Sequence, residues 1–419
     1  MNRDWAEKNR KMQALLKKEE SFQEGLDVLT DLREDLFRQI SSIVNNYPPE
    51  AFYRMPFAGA EGYHSKTLAY SIWHIFRIED IVAHTLIAQD EQVFFTEGWA
   101  EKTKSPIITT GNELKGEEIA DFSRQLDIRA VYEYSRAVMK ATDGILKTLE
   151  YRDLKRKFTD ADRERLIGSR CVSTDGDAFW LIDYWCGKDI RGLIQMPFSR
   201  HWIMHTEAMC RIKNKLCLEA RKGADPVAYC GLSCNHCFLA EWCGSCRTAY
   251  NTCSYATCSP DGICPNAACC QEKGFDGCWE CGELTGCRKG FYANGKEINA
   301  IKALALFIRK YGKKELAAVL DRLHQQYDFR KIQEILGEDL DEGFAFLEKT
   351  RQTPGKCPEC GGALVRIVYG LPGPETFEKA ERKELFLGGC MPGKYDYHCY
   401  RCDKSFTDDL SRHERHDEE

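Results

Sequence analysis

The sequence has no long apolar run and no segment like a secretory signal. None of its stretches approaches the ~20 apolar residues needed to span a bilayer. The chain opens on the polar segment MNRDWAEKNRKMQ, which has no apolar centre of the kind that a signal peptide needs. These absences argue against a membrane protein and against a secreted one, and they predict a soluble protein of the cytoplasm.

A strong excess of positive charge is also missing, and so are internal repeats and low-complexity tracts. The formal net charge of −6 and the pI near 6.0 argue against broad electrostatic capture of nucleic acid. Two short basic stretches, at 211–223 and 309–314, are more typical of a solvated helix face than of a nucleic-acid site. The length of 419 residues allows roughly two to four globular domains.

Cysteine, in contrast, is abundant and clustered. Thirteen of the 22 cysteines lie between Cys230 and Cys287. In a reducing cytoplasm, runs such as Cys243-x-x-Cys246 bind metal more often than they form disulfides. The histidines that look most like ligands lie outside this block, so the sequence indicates two kinds of metal site in one chain.

Changes of composition at turn-rich linkers divide the chain into four regions and a charged tail. Two of the regions have apolar residues at helical spacing, so the sequence predicts a multidomain, mainly α fold. The predicted regions are an antiparallel four-helix bundle (1–222), a loop-rich cysteine-rich metal-binding domain (223–290), a short helical segment (291–352), a small β zinc ribbon (353–410) and the charged tail (411–419).

The first region contains helical stretches near 22–46, 65–90, 127–149 and 198–220. Four amphipathic helices of this length suit an antiparallel bundle, whose core is a usual place for metals held by side chains of facing helices. The link between the second and third helices is long enough to cover one end of such a bundle.

Three histidines fall on apolar stripes of these helices. His74 shares a face with Ile78, while His201 and His205 are four residues apart on the last helix. Two imidazoles at that spacing can bind one ion, and an inward His74 on a neighbouring helix can supply a third nitrogen. Zn²⁺ held in this way, or Ni or Fe in its place, keeps a fourth position for water or for a thiol.

Purely structural roles for the same residues, without a metal, also stay open. Core histidines satisfied by a carbonyl or a carboxylate are common, and an H-x-x-x-H pair alone is weak evidence for metal. Arg77, Glu79 and Asp80 follow His74 closely and are placed to orient a ligand. Charged residues beside a buried helix stripe are usually its solvated flank, however, and that interpretation is the one favoured here.

The segments SIWHIFRIEDIVAHTLIAQDEQVFFTEGWAEK and MPFSRHWIMHTEAMCRIKNKL resemble the DinB/YfiT superfamily. Members of that superfamily are four-helix bundles with one histidine on the second helix and an H-x-x-x-H pair on the last. The resemblance covers roughly the first 220 residues and implies that the metal ligands are His74, His201 and His205. Related families include thiol-dependent transferases and isomerases that use bacillithiol or mycothiol, and a domain of ergothioneine-forming enzymes, but the resemblance does not identify a substrate.

The cysteine-rich block has enough thiols for several closed metal sites. Tetrahedral S₄ sites would use twelve of the thirteen thiols in three zinc centres, with His236 as a substitute for one of them. The adjacent Cys269 and Cys270 are awkward on one ion, so they serve different centres or one is a free, redox-active thiol. The candidate ligands are Cys230, Cys234, Cys237, Cys243, Cys246, Cys253, Cys258, Cys264, Cys269, Cys270, Cys278, Cys281 and Cys287.

Iron offers an alternative for this block. An iron–sulfur cluster within 230–287 would make it an electron-transfer module. The run Cys230-x3-Cys234-x2-Cys237 matches the cluster spacing of radical-SAM enzymes, but the β/α barrel of those enzymes has no room to follow it. The block also resembles a cysteine-rich bacterial and archaeal family that begins CGLxCxxC and ends in paired cysteines before a G-[FY] turn. That resemblance implies metal binding and no defined activity.

The last module contains two C-x-x-C knuckles and the strand-like segments LVRIVYG and YDYHCY. Each knuckle presents two thiolates to one ion, so two knuckles complete a tetrahedron. The module also resembles a rubredoxin at CPECG, but its second knuckle CYRCD lacks that family's Pro and Gly, so zinc is favoured over iron. The sequence predicts a zinc ribbon with the ligands Cys357, Cys360, Cys399 and Cys402.

Two classes of function fit these motifs. In the first, the bundle is a metal-dependent transferase or hydrolase that activates a thiol or water for attack on a small electrophile. Its partners are then a small-molecule substrate and a low-molecular-weight thiol, and the cysteine-rich modules are accessory or recruit a protein partner. In the second, the chain is a metal or redox sensor, store or assembly protein without catalysis. An open three-histidine site favours the first class.

Overall fold

The computed structural model describes residues 2–251, 253, 262–293, 298–352 and 355–407. The chain divides into two compact units, one formed by Met1–Pro226 with Leu239–Cys264 and the other by Val227–Phe238 with Pro265–Glu419. Most of the described elements are helices, and the described strands form one four-stranded sheet. The predicted fold class is confirmed in this form, as mainly α with a small β module, while the bounds of the five predicted regions stay predictions.

The first unit is built from long helices that the apolar stripes predict and from shorter ones between them. Its helices are Arg3–Leu15 (α1), Phe22–Asn46 (α2), Leu68–Asp80 (α3), Val93–Thr96 (α4), Trp99–Thr103 (α5), Glu117–Gln125 (α6), Ile128–Thr148 (α7), Asp160–Gly168 (α8), Gly176–Cys186 (α9), Ile190–Gln195 (α10) and His201–Arg221 (α11). The four predicted helical stretches are confirmed as α2, α3, α7 and α11.

These four long helices surround a common core. α3 packs against α7 and α11, and α2 packs against the same two helices. Large aromatic side chains fill the space between them, among them Trp73, Phe76, Tyr134 and Trp202. Every residue from Leu68 to Ile87 is buried. A helix that is enclosed on all sides places whatever polar groups it carries in the interior of the unit.

Capping side chains set the ends of the helices that carry the site. The hydroxyl of Thr67 accepts a hydrogen bond from the Tyr70 backbone N–H over 3.0 Å, where α3 begins. Asp127 caps α7 in the same way. Such caps satisfy backbone donors that the first helical turn leaves without partners.

Two π-helical turns adjoin the site helices, Ile81–Ala88 after α3 and Met196–Arg200 before α11. In the second turn, Pro197 has no backbone N–H to donate to a preceding carbonyl. At the end of this turn, the His201 N–H donates to the carbonyl of Met196, five residues earlier, which is the hydrogen-bond spacing of a π-helix. Turns of this kind are frequent at functional sites, and this one sets the direction in which α11 begins at His201.

The second unit contains the helices Pro265–Lys273 (α12), Ile298–Tyr311 (α13), Lys313–His324 (α14), Phe329–Gly337 (α15), Leu340–Gln352 (α16) and Pro374–Glu381 (α17). α13 packs against α14, α15 and α16. The two predicted stripes on α13 and α14 are confirmed, since burial covers all of Ile301, Leu304, Ala305, Ile308, Leu316, Val319, Leu320 and Leu323.

The small sheet consists of Leu364–Val368 (β1), Leu385–Leu387 (β2), Tyr397–Cys399 (β3) and Lys404–Phe406 (β4), in the order β2-β1-β3-β4. β1 runs parallel to β2 and antiparallel to β3, and β3 runs antiparallel to β4. The predicted strands are confirmed as β1 and β3. Leu364 lies opposite Cys399 in the register, which brings the second knuckle beside the first.

No helix in the described part of the chain is both long enough and apolar enough to cross a bilayer.

Candidate metal centre

His74, His201 and His205 meet in the interior of the first unit. The ring centroids are 5.0 Å apart for His74 and His201, 4.9 Å for His74 and His205, and 4.6 Å for the pair on α11. One nitrogen of each ring lies within 4.8 Å of one nitrogen of each other ring. The structure therefore brings together the three histidines that the sequence predicts as ligands, in a group that can hold a metal ion.

Hydrogen bonds leave ring nitrogens available to a metal. Nδ1 of His74 donates to the backbone carbonyl of Thr110 over 2.7 Å, which leaves Nε2 with the lone pair. Nδ1 of His201 and both ring nitrogens of His205 are buried and have no hydrogen-bond partner among the described residues. A buried polar atom without a partner costs about 1–3 kcal/mol. An ion bound by these nitrogens would remove that cost, so the residues fit a metal.

Burial also keeps the three rings neutral. None of them is more than 6% exposed. Burial lowers the pKa of His74 to about 4 and lowers the pKa of both His201 and His205 well below the usual value, and the neighbouring imidazoles add to the effect on the α11 pair. A neutral imidazole offers the lone pair that a metal needs, so protons do not compete for these nitrogens at neutral pH.

One side of the three-histidine group is open. No carboxylate or thiol of the described residues joins the three nitrogens within 4.8 Å. The rings instead line a pocket of about 380 Å³. Structural zinc sites have four protein ligands, whereas catalytic zinc sites have three and leave a position for a reactant. The three imidazoles thus leave room for a further ligand on the side of the pocket.

The pocket walls consist largely of aromatic side chains that sequence reasoning missed. α9 contributes Trp180 and Tyr184, which are four residues apart and so lie on one face of the helix. Tyr63 precedes α3, and its ring meets the ring of His205 edge-on at 4.7 Å. Trp180 remains 49% exposed, which is unusual for so large an apolar side chain. The aromatic i, i+4 pair in DAFWLIDYWC was the signal available in the sequence.

Lys66 is the only charged side chain among the described residues that line this pocket. Its ammonium nitrogen lies 5.0 Å from the centre of the Tyr70 ring. Burial lowers the pKa of Lys66. Lys66 therefore places one cationic group beside neutral imidazoles and aromatic side chains.

The interpretation of Arg77, Glu79 and Asp80 as a solvated flank is wrong. All three are fully buried, because neighbouring elements enclose α3 on every side. Glu79 forms an ion pair with Arg33 of α2, with the closest N···O distance at 2.7 Å. Asp80 accepts a hydrogen bond from the hydroxyl of Tyr134 on α7 over 2.8 Å. These charges therefore tie α3 to its neighbours and help to hold the three histidines in place.

The zinc-ribbon cysteines also come together. The Sγ atoms of Cys357 and Cys402 lie 3.5 Å apart, as do those of Cys360 and Cys399. All four sulfurs are within 4.8 Å of one another. Zinc–sulfur bonds of about 2.3 Å put the sulfurs of one tetrahedral ion roughly 3.8 Å apart, so this group fits a single closed site.

The cysteine-rich block is divided between the two units. Cys243, Cys246, Cys253 and Cys264 belong to the first, and the remaining described cysteines of the block belong to the second. Cys258 lies outside the described residues. Among those that the structure describes, no three thiols of the block lie within 4.8 Å of one another. The prediction that the block holds several metal centres is therefore still a prediction.

His236, the predicted substitute for a thiol in this block, has hydrogen-bond partners at both ring nitrogens. Nδ1 is 2.8 Å from the hydroxyl of Ser233, and Nε2 is 2.8 Å from a carboxylate oxygen of Asp321. Its ring also stacks on that of His324, with the centroids 4.9 Å apart. These contacts account for a histidine at this position without a metal.

Comparison with known proteins found no family model and no curated protein that matches this chain. The protein is therefore classified here only by its fold, its three-histidine group and its four-cysteine group. The protein is mainly helical, with a three-histidine group that opens on a pocket and a four-cysteine group in a small β module, and each group can hold a metal ion.

Proposed function

We propose that this protein is a metal-dependent enzyme of the DinB/YfiT-like class, in which α2, α3, α7 and α11 form the antiparallel bundle. It activates a thiol or water at the three-histidine site for transfer to, or hydrolysis of, a small electrophilic substrate. The cysteine-rich modules are accessory to this reaction.

One observation carries the proposal. Three buried, neutral imidazoles converge with nitrogens that lack partners among the described residues, and they do so at the base of a pocket large enough for a small molecule. A site whose only task is to store or to sense an ion has no need of such a pocket. This favours catalysis over the sensor or store function.

His74, His201 and His205 would hold the ion, and zinc is the ion that best suits three imidazoles with an open position. When bound, zinc supplies Lewis acidity, which favours the ionised and nucleophilic form of a thiol or water. The carbonyl of Thr110 fixes the tautomer and orientation of His74. The buried network below the site holds α3 and α11 in register, so that the three rings keep their spacing.

Lys66 and the aromatic walls would bind the substrate. The ammonium of Lys66 offers a counter-charge to an anionic group, and the rings of Trp180 and Tyr184 offer apolar faces to a planar body. A substrate bound between these walls would exclude water from the three-histidine group, which protects a reactive nucleophile there. We therefore expect a substrate with an apolar or aromatic body and one negative charge.

The test compares the wild-type protein with His201→Ala in a thiol-transfer assay after both are equilibrated with zinc. Glutathione and cysteine serve as thiols, 1-chloro-2,4-dinitrobenzene as electrophile, and 4-nitrophenyl acetate reports hydrolysis. We expect a zinc-dependent rate above the uncatalysed one in the wild type. In His201→Ala we expect the loss of about one zinc per chain together with that rate, because two imidazoles hold zinc more weakly than three.

His64→Ala provides the matched control, since His64 is a half-buried histidine near the same pocket that does not belong to the three-histidine group. It should keep both the metal and the rate. Loss of zinc from His201→Ala with no zinc-dependent rate in the wild type, for any of these reactants or a wider panel, would contradict catalysis. That outcome would support the sensor or store function.

A further inference from the structure

Five cysteines of the second unit line one small cavity that the proposed function does not use. They are Cys269, Cys270, Cys278, Cys281 and Cys287, and the cavity that they share measures about 20 Å³. A space of this size exceeds the roughly 10–15 Å³ that a single water needs. Cysteine side chains rarely gather around a space of their own without a ligand for it, because a buried thiol otherwise packs as a small apolar group.

The spacing of these sulfurs differs from that of the zinc ribbon. Cys270 and Cys278 approach to 3.6 Å, which is the distance expected for two thiolates on one metal. Yet among the described residues no three of the five sulfurs lie within 4.8 Å of one another, whereas all four ribbon sulfurs do. One tetrahedral ion requires every pair at roughly 3.8 Å. A cofactor with several metal atoms accepts wider spacing, because different thiolates bind different atoms of it.

Polar donors surround the sulfurs. Nδ2 of Asn266 donates to Sγ of Cys278 over 3.8 Å, and the ammonium of Lys289 donates to Sγ of Cys269 over 3.5 Å. Lys273 also lines the cavity. Hydrogen bonds to sulfur and nearby positive charge stabilise the negative charge that a thiolate-bound cluster carries, and they tune its reduction potential.

We propose that this cavity holds one iron–sulfur cluster, bound by Cys270, Cys278, Cys281 and Cys287. We assign Cys269 as a neighbour of the cluster and not as a ligand, because it directly precedes Cys270 on α12 and consecutive helical residues point in different directions. The site is independent of the three-histidine pocket, so neither proposal depends on the other.

The first test uses the full chain, purified without oxygen from cells supplied with both iron and zinc. We expect iron and acid-labile sulfide in equal amounts, at about two atoms of each per chain, because two thiolates on one iron are the arrangement of a two-iron cluster. We also expect visible absorption that bleaches when dithionite is added. A chain that contains zinc but no labile sulfide, and that takes up no cluster from ferric iron, sulfide and thiol under argon, would overturn the proposal.

The second test locates the cluster. Cys278→Ser and Cys281→Ser should each lose most of the iron, the sulfide and the visible absorption, while zinc bound to the ribbon persists and reports that the chain is folded. Cys390→Ser and Cys186→Ser are matched controls, because both thiols lie outside the cavity, and they should retain the full cluster content. Folded Cys278→Ser and Cys281→Ser variants with wild-type iron and sulfide would place any cluster elsewhere and would refute this assignment.

Discussion

The carboxylate of Glu79 accepts a hydrogen bond from the indole N–H of Trp202 over 2.8 Å. Trp202 directly follows His201, so this bond joins the helix that carries His74 to the helix that carries the other two histidines. The same carboxylate pairs with Arg33 through two N···O contacts of 2.7 and 2.8 Å. A single buried acid thus links three of the four long helices next to the three-histidine group.

Replacement of this acid should destabilise the first unit strongly. In Glu79→Ala the buried guanidinium of Arg33 loses its two-contact partner and keeps only the carboxylate of Asp143, at 3.2 Å, and breaking a buried pair costs up to about 3–5 kcal/mol. Urea unfolding followed by tryptophan fluorescence measures the change. Glu117→Ala removes a partner of the exposed pair with Arg124 and serves as the control, with only a small change expected. Equal effects of the two substitutions would contradict the role of the buried pair.

Gly111 should matter for metal binding although it is not a ligand. It adopts a φ of +78°, and a Cβ at this position would lie 3.0 Å from the ring of Tyr70. Gly111→Ala is therefore expected to shift the adjoining carbonyl of Thr110, which accepts from His74. Loss of such support for a ligating histidine lowers metal affinity by roughly 10- to 100-fold. Competition for zinc against a chromogenic chelator measures the affinity.

Gly98→Ala is the matched control for this prediction. Gly98 also has a positive φ, +64°, but a Cβ there meets no atom within 4 Å. It carries the same backbone strain without the contact to the site, so the affinity for zinc at the histidines should stay at the wild-type value. A tenfold loss in both variants would show that strain in the loop, and not the Thr110 carbonyl, governs affinity.

Local periodicity explains which parts of the site could be predicted. The spacing of His201 and His205 along one helix face is a local property, and so is the place of His74 on an apolar stripe, so the sequence alone indicated that these rings point inward. The partner of Glu79 could not be found in this way, because Arg33 is 46 residues away. Charged residues beside a stripe look the same whether water or a distant guanidinium satisfies them.

The hydrogen-bond partner of His74 and the aromatic residues that line the pocket could not be predicted from the sequence, for related reasons. The partner of His74 is a backbone carbonyl, at Thr110, and backbone groups leave no mark in the sequence. Trp180 and Tyr184 stand in a helical pattern that core residues share, so their role in a pocket depends on how α9 packs. The zinc-ribbon ligands were easier to predict from the sequence. Each C-x-x-C knuckle places two ligands close together along the chain, and the pairing of the strands between the knuckles brings the two knuckles side by side.

Removal of metal from the ribbon should unfold that module. Its described core is small, formed by Leu364 and Tyr397 with two of the cysteines, so we expect its fold to depend on an ion bound by the four cysteines. Structural zinc contributes an apparent binding free energy of about 10–16 kcal/mol. Cys399→Ser, or a strong chelator, should therefore expose the segment after residue 355 to proteases, as mass spectrometry of the fragments would show. Cys390→Ser, at an exposed thiol, should stay resistant, and protease resistance of the metal-free wild type would contradict this prediction.

Lys66 should select for charge on the substrate, if the pocket has the proposed function. Lys66→Met keeps the length of the side chain but removes the ammonium, so an anionic ligand loses a charge-assisted hydrogen bond worth about 1.5–3 kcal/mol, or roughly tenfold or more in affinity. The pair 4-chloro-3-nitrobenzoate and 1-chloro-2,4-dinitrobenzene separates charge from ring chemistry, because both are activated aryl chlorides and only the first is an anion. Quenching of tryptophan fluorescence, for which Trp180 is a local reporter, measures binding without turnover.

The expected result is weaker binding of the anion to Lys66→Met with little change for the neutral compound. Lys140→Met removes a charge from an exposed position on α7 and is the control for the loss of net charge, so it should bind both compounds as the wild type does. Equal weakening for both compounds in Lys66→Met would mean that the side chain shapes the pocket and does not pair with a charge. Lack of any effect would show that the anion binds away from Lys66, because an anion in contact with the half-buried ammonium would lose a charge-assisted hydrogen bond in Lys66→Met.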